Sequence, residues 1–333
     1  MLAYFVLWIG IPKARFLSAA LDSIDKAMTH AHQPLATLLP ICGIVITSIP
    51  TITFMAAQIS VVYYFSKLKL GFKGSVISLL ACLAGLTLIV TAIVWESGVV
   101  AKLHRMPTLP ETGFIVGVYH PGLLKMLMFA VIMLTAASIG YLVSLRIKDK
   151  NLLLPVVMFA ASIDFWTVTA GPVNTVMSKA PEIVKAVSAP IPKAGTGAFV
   201  PAVMMGMGDP LFMAVIFAAV HRLGLNGKRN FVFVFCAMTI AMLAVMMGIV
   251  PYLPALVALA IAVIAANWRQ FKLSKQEKIS TAIVAVLLIA TMPLVWYVLK
   301  PKSTPKPRPP APVSAPRSQP SPKAQQPQPR PGS

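Results

Sequence analysis

Nine acidic residues occur in this 333-residue chain, and two of them stand where acids are costly. Asp22, Asp25, Glu111, Asp149, Glu182 and Glu277 fall between apolar runs, and Glu96 closes one beside Trp95. Asp164 lies 14 residues after Lys150 and 15 before Lys179, and Asp209 lies 16 after Lys193 and 13 before Arg222. Each is therefore near the middle of an apolar stretch. An ionised acid at mid-bilayer costs about 2.5–3.5 kcal/mol on insertion scales and is rarely kept without a role. The two stretches are consecutive, so helices built from them run antiparallel and carry the acids to similar depth. No Lys or Arg shares that depth. Two carboxyls close together in a low dielectric cannot both ionise, so they share a proton. An aspartic protease works this way: one carboxylate takes a proton from water while its protonated partner polarises the scissile carbonyl. Depth alone leaves two other readings open. One is a pair of separate, protonated, hydrogen-bonded structural aspartates; the other is the proton or cation relay of a transporter.

Composition supplies the elements that must hold these acids. The chain is 57% hydrophobic and 11% charged, with a mean hydropathy of +0.80. A soluble domain carries about 25% charged residues, so an ordinary soluble protein is excluded. Crossing the hydrocarbon core takes about 20 predominantly apolar residues. No charged residue separates Lys26 from Lys67, and a long span fits 34–64, with Pro40 and Pro50 expected to kink it. Further spans fit 75–95, 123–145, 152–170 and 199–221. The charge-free run from Asn230 to Trp268 is 39 residues, and Gly248, Pro251 and Pro254 divide it into two spans. A last span fits 279–299. The fold class expected is an all-α polytopic membrane protein with about eight spans, or nine if the short apolar stretch 1–11 is the remnant of one.

The organisation follows: an N-terminal apolar, interfacial segment 1–33, a membrane bundle 34–150, a core 151–268 holding both acids, a further C-terminal helix 269–299, and a tail 300–333. The tail has twelve prolines, seven basic residues and no acid, a composition that cannot bury a core. Cys42, Cys82 and Cys236 sit far apart in apolar runs and are expected to be buried small hydrophobes. The net charge of +20 comes from basic residues at the edges of apolar runs. That is the pattern of topology-setting loops and lipid-headgroup contacts rather than of nucleic-acid binding. Loops 65–74, 146–150, 222–230 and 268–279 hold thirteen Lys and Arg, and the alternating loops 98–122 and 171–198 with the turn near 250 hold five. The positive-inside rule puts the first set in the cytoplasm.

The flanks of the acids sharpen the choice of chemistry. Gly206, Met207 and Gly208 precede Asp209, and Pro210 follows it. The glycines permit close backbone approach, while Pro210 lacks an amide hydrogen and disfavours helical dihedrals just before it, so a helix interrupted at the acid is expected. Backbone groups freed there can pair with an unwound substrate strand. Pro254-Ala255-Leu256 opens another loosened helix start.

Gly206-Met207-Gly208-Asp209 resembles the GxGD signature of the presenilin and signal peptide peptidase family of intramembrane aspartyl proteases. Pro254-Ala255-Leu256 resembles that family's PAL motif, on the second span after the GxGD span. Ile163-Asp164-Phe165-Trp166 is similar to its YD motif, with an isoleucine in place of the usual tyrosine, and Pro210 directly after the acid is a second departure. The likeness covers about residues 152–267. It implies a presenilin-like bundle with broken helices near the acids and an endopeptidase that cuts within the membrane. Asp164 and Asp209 would be the catalytic pair, and Gly206, Met207, Gly208, Pro254, Ala255 and Leu256 would shape the substrate channel. Partners implied are single-span membrane proteins or signal-peptide-like helices, within a lipid bilayer that the short loops point to as a prokaryotic plasma membrane. No metal, nucleotide or other cofactor is implied. A zinc protease is unsupported, for want of an HExxH pattern, and so is a serine hydrolase, for want of Gly-x-Ser-x-Gly. His30, His32, His104, His120 and His221 fall at span ends or in loops, as interfacial residues do.

Overall fold

The computed structural model describes residues 1–13, 19–20, 23–24, 26, 35–103, 105–118, 122–169, 189–190, 204–205, 208–249, 254–279, 281–283, 285–286 and 290. Their regular structure is helical apart from one two-residue ladder. In chain order the helices are α1 (Leu2–Lys13), α2 (Leu35–Ser66), α3 (Phe72–Glu96), α4 (Val99–Leu103), α5 (Leu109–Val118), α6 (Gly122–Ser144), α7 (Leu153–Thr169), α8 (Gly208–Arg222), α9 (Gly227–Met246) and α10 (Ala255–Asn267). Strands β1 (Ala189–Pro190) and β2 (Met204–Met205) pair antiparallel between α7 and α8.

Among the described residues, four helices are long and apolar enough to cross a membrane: Cys42–Ser66, Phe72–Glu96, Leu123–Ser144 and Gly227–Met246. The protein is thus a helical membrane protein. α7, α8 and α10 have 17, 15 and 13 residues. At 1.5 Å per residue, α8 covers only about 22 Å of a hydrocarbon core of about 30 Å. Eight full spans are therefore not reached by the described helices alone, and most of the run 279–299 lies outside them. α2 continues through both Pro40 and Pro50 as one 32-residue helix.

Cross-chain contacts fix how the helices run. Leu70 donates its amide to Tyr141 Oη at 3.1 Å, and Arg222 donates to the Ser144 carbonyl. The Asn151 side chain donates to the Lys272 carbonyl at 3.2 Å, and the rings of Tyr63 and His221 are 5.1 Å apart. One end of the bundle thus gathers the ends of α2, α6, α8 and α10 with the starts of α3, α7 and α9. Those are the termini that the four strongly basic loops join. α7 and α8 are antiparallel, as expected.

α8 is enclosed on every side through its middle. Every residue from Met213 to Val220 is buried, so the helix has no lipid-facing side. It packs on α6 and α2, while α7 packs on α10 and α10 on α9. One apolar core runs through all six, with Ile59, Met133, Val157, Phe217, Val234 and Val263 among its buried members. By contrast, only Ser75, Ile93 and Val94 of α3 are buried, as expected of a helix immersed in lipid.

The cysteines depart from expectation. Cys42 and Cys236 are exposed and Cys82 half-buried, none in a disulfide. Hydrophobicity does not separate inside from outside in a bilayer, because lipid is as apolar as the core. An apolar run in such a chain says that a residue is in the membrane, not that it is inside the protein.

Candidate functional site

Pro210 fixes where α8 can start. Its missing amide hydrogen is harmless only in the first turn, where no intrahelical acceptor awaits it. The helix accordingly begins at Gly208, with Asp209 second and Pro210 third. The expected span 199–221 is corrected here: residues 204–205 belong to β2, and the helix begins nine residues later than the apolar run. Asp209 is correspondingly at the start of a helix, not in its middle. It is itself helical, and the break lies before it. Gly206 and Met207 lie outside the described residues, as do His30, His32, His104 and His120. Gly208 is exposed, with open space where a side chain would stand.

The start of α10 has the same origin. Pro254 is its N-cap in an extended conformation, and Ala255 and Leu256 are its first two helical residues. A helix start leaves its first four N–H groups without intrahelical acceptors. One of them finds its acceptor on another helix: Leu256 donates its amide to Asp164 Oδ2 at 2.9 Å. Asp164 thus caps α10 from α7, and Thr167 Oγ1 donates to the carbonyl of Asp164 at 3.1 Å.

Depth is shared. Asp164 is eleven residues in from Leu153, Asp209 thirteen from Arg222, and Leu256 eleven from Asn267. At 1.5 Å per residue these stand about 17, 20 and 17 Å from the basic end of the bundle. Direction is shared as well. Val157 and Ala160 of α7, Phe212 and Ile216 of α8, and Leu256 and Leu259 of α10 line one narrow apolar recess. On a helix, residues three, four and seven apart fall on one face. Asp164 follows Val157 and Ala160 at seven and four, and Asp209 precedes Phe212 and Ile216 at three and seven. Both acids therefore continue the faces that α7 and α8 turn toward their common recess.

Chemically this is a pair of carboxyl-bearing helix faces in an apolar surround, next to two interrupted helices and an extended stretch of backbone. Among the described residues no group of three His, Cys, Asp or Glu side chains gathers that could hold a metal. His221, in the last turn of α8, packs instead against Tyr63.

Two features escaped the sequence. The capping of α10 by Asp164 is long-range, and no local signal marks it. Asn230 and Asn267 are both fully buried and exchange side-chain hydrogen bonds between α9 and α10. Each stood at a span end, where a polar residue passes for an interfacial one. No protein-family model, curated protein or solved structure matches this chain.

Proposed function

We propose that the protein is an intramembrane aspartyl endopeptidase with Asp164 and Asp209 as its catalytic pair, in a bundle of eight to nine spans. The observation that carries this is the bond from Leu256 to Asp164. It joins the two motif-bearing segments 92 residues apart in sequence, at the depth where α8 starts with the second acid. One carboxylate activates water and the other carboxyl, protonated, polarises the carbonyl of the bond to be cut. Peptide hydrolysis needs an unwound substrate, since a helical amide has its carbonyl engaged. The extended backbone at 204–205, just ahead of α8, offers a strand to align it. In this reading Gly206, Met207, Gly208, Pro254, Ala255 and Leu256 shape the substrate channel. Substrates of this reading are single-span proteins or signal-peptide-like helices, reached within a prokaryotic plasma membrane. No metal or cofactor takes part.

A second reading draws on the same bond: Asp164 as a structural cap in an inactive scaffold. Asp164→Asn separates the two, because asparagine keeps an oxygen for the Leu256 amide but can neither take nor give the proton. Purified protein in detergent is given a labelled transmembrane peptide. Proteolysis requires cleavage by the native chain and its loss, by about 10²–10⁴-fold or more, in Asp164→Asn and Asp209→Asn, both still folded. Full activity in either variant refutes the pair.

A further inference from the structure

α6 carries no acid and none of the motifs, yet its backbone comes into contact with the turn that bears Asp209. Gly140 is buried against α8. A Cβ there would overlap the carbonyl oxygen of Leu211 and lie 2.9 Å from the Cβ of Ala214. Leu211 is two residues after Asp209, in the first turn of α8. The overlap is with backbone, which no rotamer change relieves. The surroundings are small on both sides: Ala136 and Ala137 of α6 and Ala214 and Ala218 of α8 are all buried. Small residues let membrane helices approach until their backbones touch. α6 is itself held from behind, by Ser138 against Ser78 of α3 at 3.1 Å and by Tyr141 against Leu70. The helix start carrying Asp209 thus rests on a braced surface with no compressible side chain between.

We infer that Gly140 is a positioning residue for Asp209: the backbone contact between α6 and the first turn of α8 sets where that carboxyl stands relative to Asp164. This deepens the protease reading and rests on it. A methyl group at 140 must push the first turn of α8 away, and displacements of about 1 Å at a reacting group cost about 10²-fold in rate. None of the atoms in the contact lines the recess, so the loss is expected chiefly in turnover.

The test compares Gly140→Ala with Gly85→Ala, a membrane-helix glycine whose Cβ would meet Val131 at an ordinary 3.8 Å. Peptide cleavage is followed in detergent for both. Expected for Gly140→Ala is a turnover lowered about 10–100-fold with KM within about twofold of native. Ala214→Gly in the same chain should restore part of it, by removing one of the two overlaps. The second readout needs no activity. In a chain with its three cysteines replaced by serine, Asp164→Cys/Asp209→Cys is treated with a short bifunctional thiol reagent, with and without Gly140→Ala. Cross-linking should fall several-fold in the second chain. If Gly140→Ala fails to accumulate, Ala214→Val crowds the same contact from α8 and is judged by the same two measurements. Turnover and cross-linking equal to those of Gly85→Ala overturn the inference. A native chain that never cleaves peptide overturns the protease reading instead, and the cross-linking comparison still judges the positioning.

Discussion

Asn230 and Asn267 hold each other by reciprocal amide bonds, Asn230 donating at 3.0 Å and Asn267 at 2.7 Å, with neither side chain open to the surface. The remaining donors are used too, toward the carbonyls of Asn226 and Val263. The clasp ties the first turn of α9 to the last turn of α10. It thereby sets the height of α10, whose other end delivers Leu256 to Asp164.

Breaking the clasp on one side should cost more than removing it. A lone buried amide left without its partner carries a penalty of about 1–3 kcal/mol, whereas replacing both by apolar groups of similar size is nearly neutral. Asn230→Leu and Asn267→Leu should each lower thermal stability in detergent, and the double variant should recover most of the loss. A double variant that merely adds the two losses would show that the amides act independently.

The Leu256 amide can be deleted without touching a side chain of the pair. Leu256→Pro lacks the donor and lies in the first turn of α10, the part of a helix where proline is best tolerated. Leu256→Ala keeps the donor and loses apolar packing. Cleavage should survive in the alanine variant and fall at least tenfold below it in the proline variant, with membrane insertion unchanged in both. Equal activities would remove the cap from the mechanism.

Outside the membrane, Glu111 is held by Arg105, which donates to both carboxylate oxygens at 2.9 and 2.7 Å, and by the Thr108 amide at 2.8 Å. These bonds lower its pKa from 4.5 to about 2. Glu277 is shifted down as well, by the Ser274 amide and then by Asn151. A depressed folded-state pKa stabilises above the unfolded value and is lost as pH falls through the folded one. The order of segment 105–111 should therefore be constant above pH 5 and decay between about pH 4.5 and 2. Amide exchange of that segment against pH checks it, and Glu111→Gln should show no such decay. Both side chains are open to solvent in part, 49% for Arg105 and 39% for Glu111, and solvent screening keeps the effect local.

The bundle has one strongly basic end, and it should face the cytoplasm. An impermeant thiol reagent should reach Lys148→Cys and Lys228→Cys from the cytoplasmic side and Thr108→Cys from the other, in a chain freed of its own cysteines. Labelling in the reverse sense would invert the protein. On the protease reading it would also reverse the direction in which a substrate strand must enter, because strand pairing reads backbone direction.

What was legible in the sequence depended on whether the signal was local. The runs 75–95 and 123–145 are predominantly apolar, with Lys125 their one charge, and became helices Phe72–Glu96 and Gly122–Ser144. Proline and glycine punctuation marked the starts of α8 and α10, although Pro210 moved the break upstream of Asp209 rather than onto it. Apolar character failed as a guide to burial: Cys42 and Cys236 are exposed on runs as apolar as any core. The stacking of α6 on α8 through Gly140, like the clasp of Asn230 and Asn267, joins residues whose neighbours in sequence say nothing of each other.

The bond from Leu256 to Asp164 also has an order in time. Asp164 leaves the ribosome 92 residues ahead of the amide that donates to it, an interval of about 5–20 s at ordinary synthesis rates. Through that interval α7 and then α8 enter the membrane with both acids in place but with the third wall of the recess still unmade. On the protease reading, the pair stays inactive until α10 arrives. A nascent chain stalled before Pro254 carries both acids past other newly inserted helices without an assembled site to act on them.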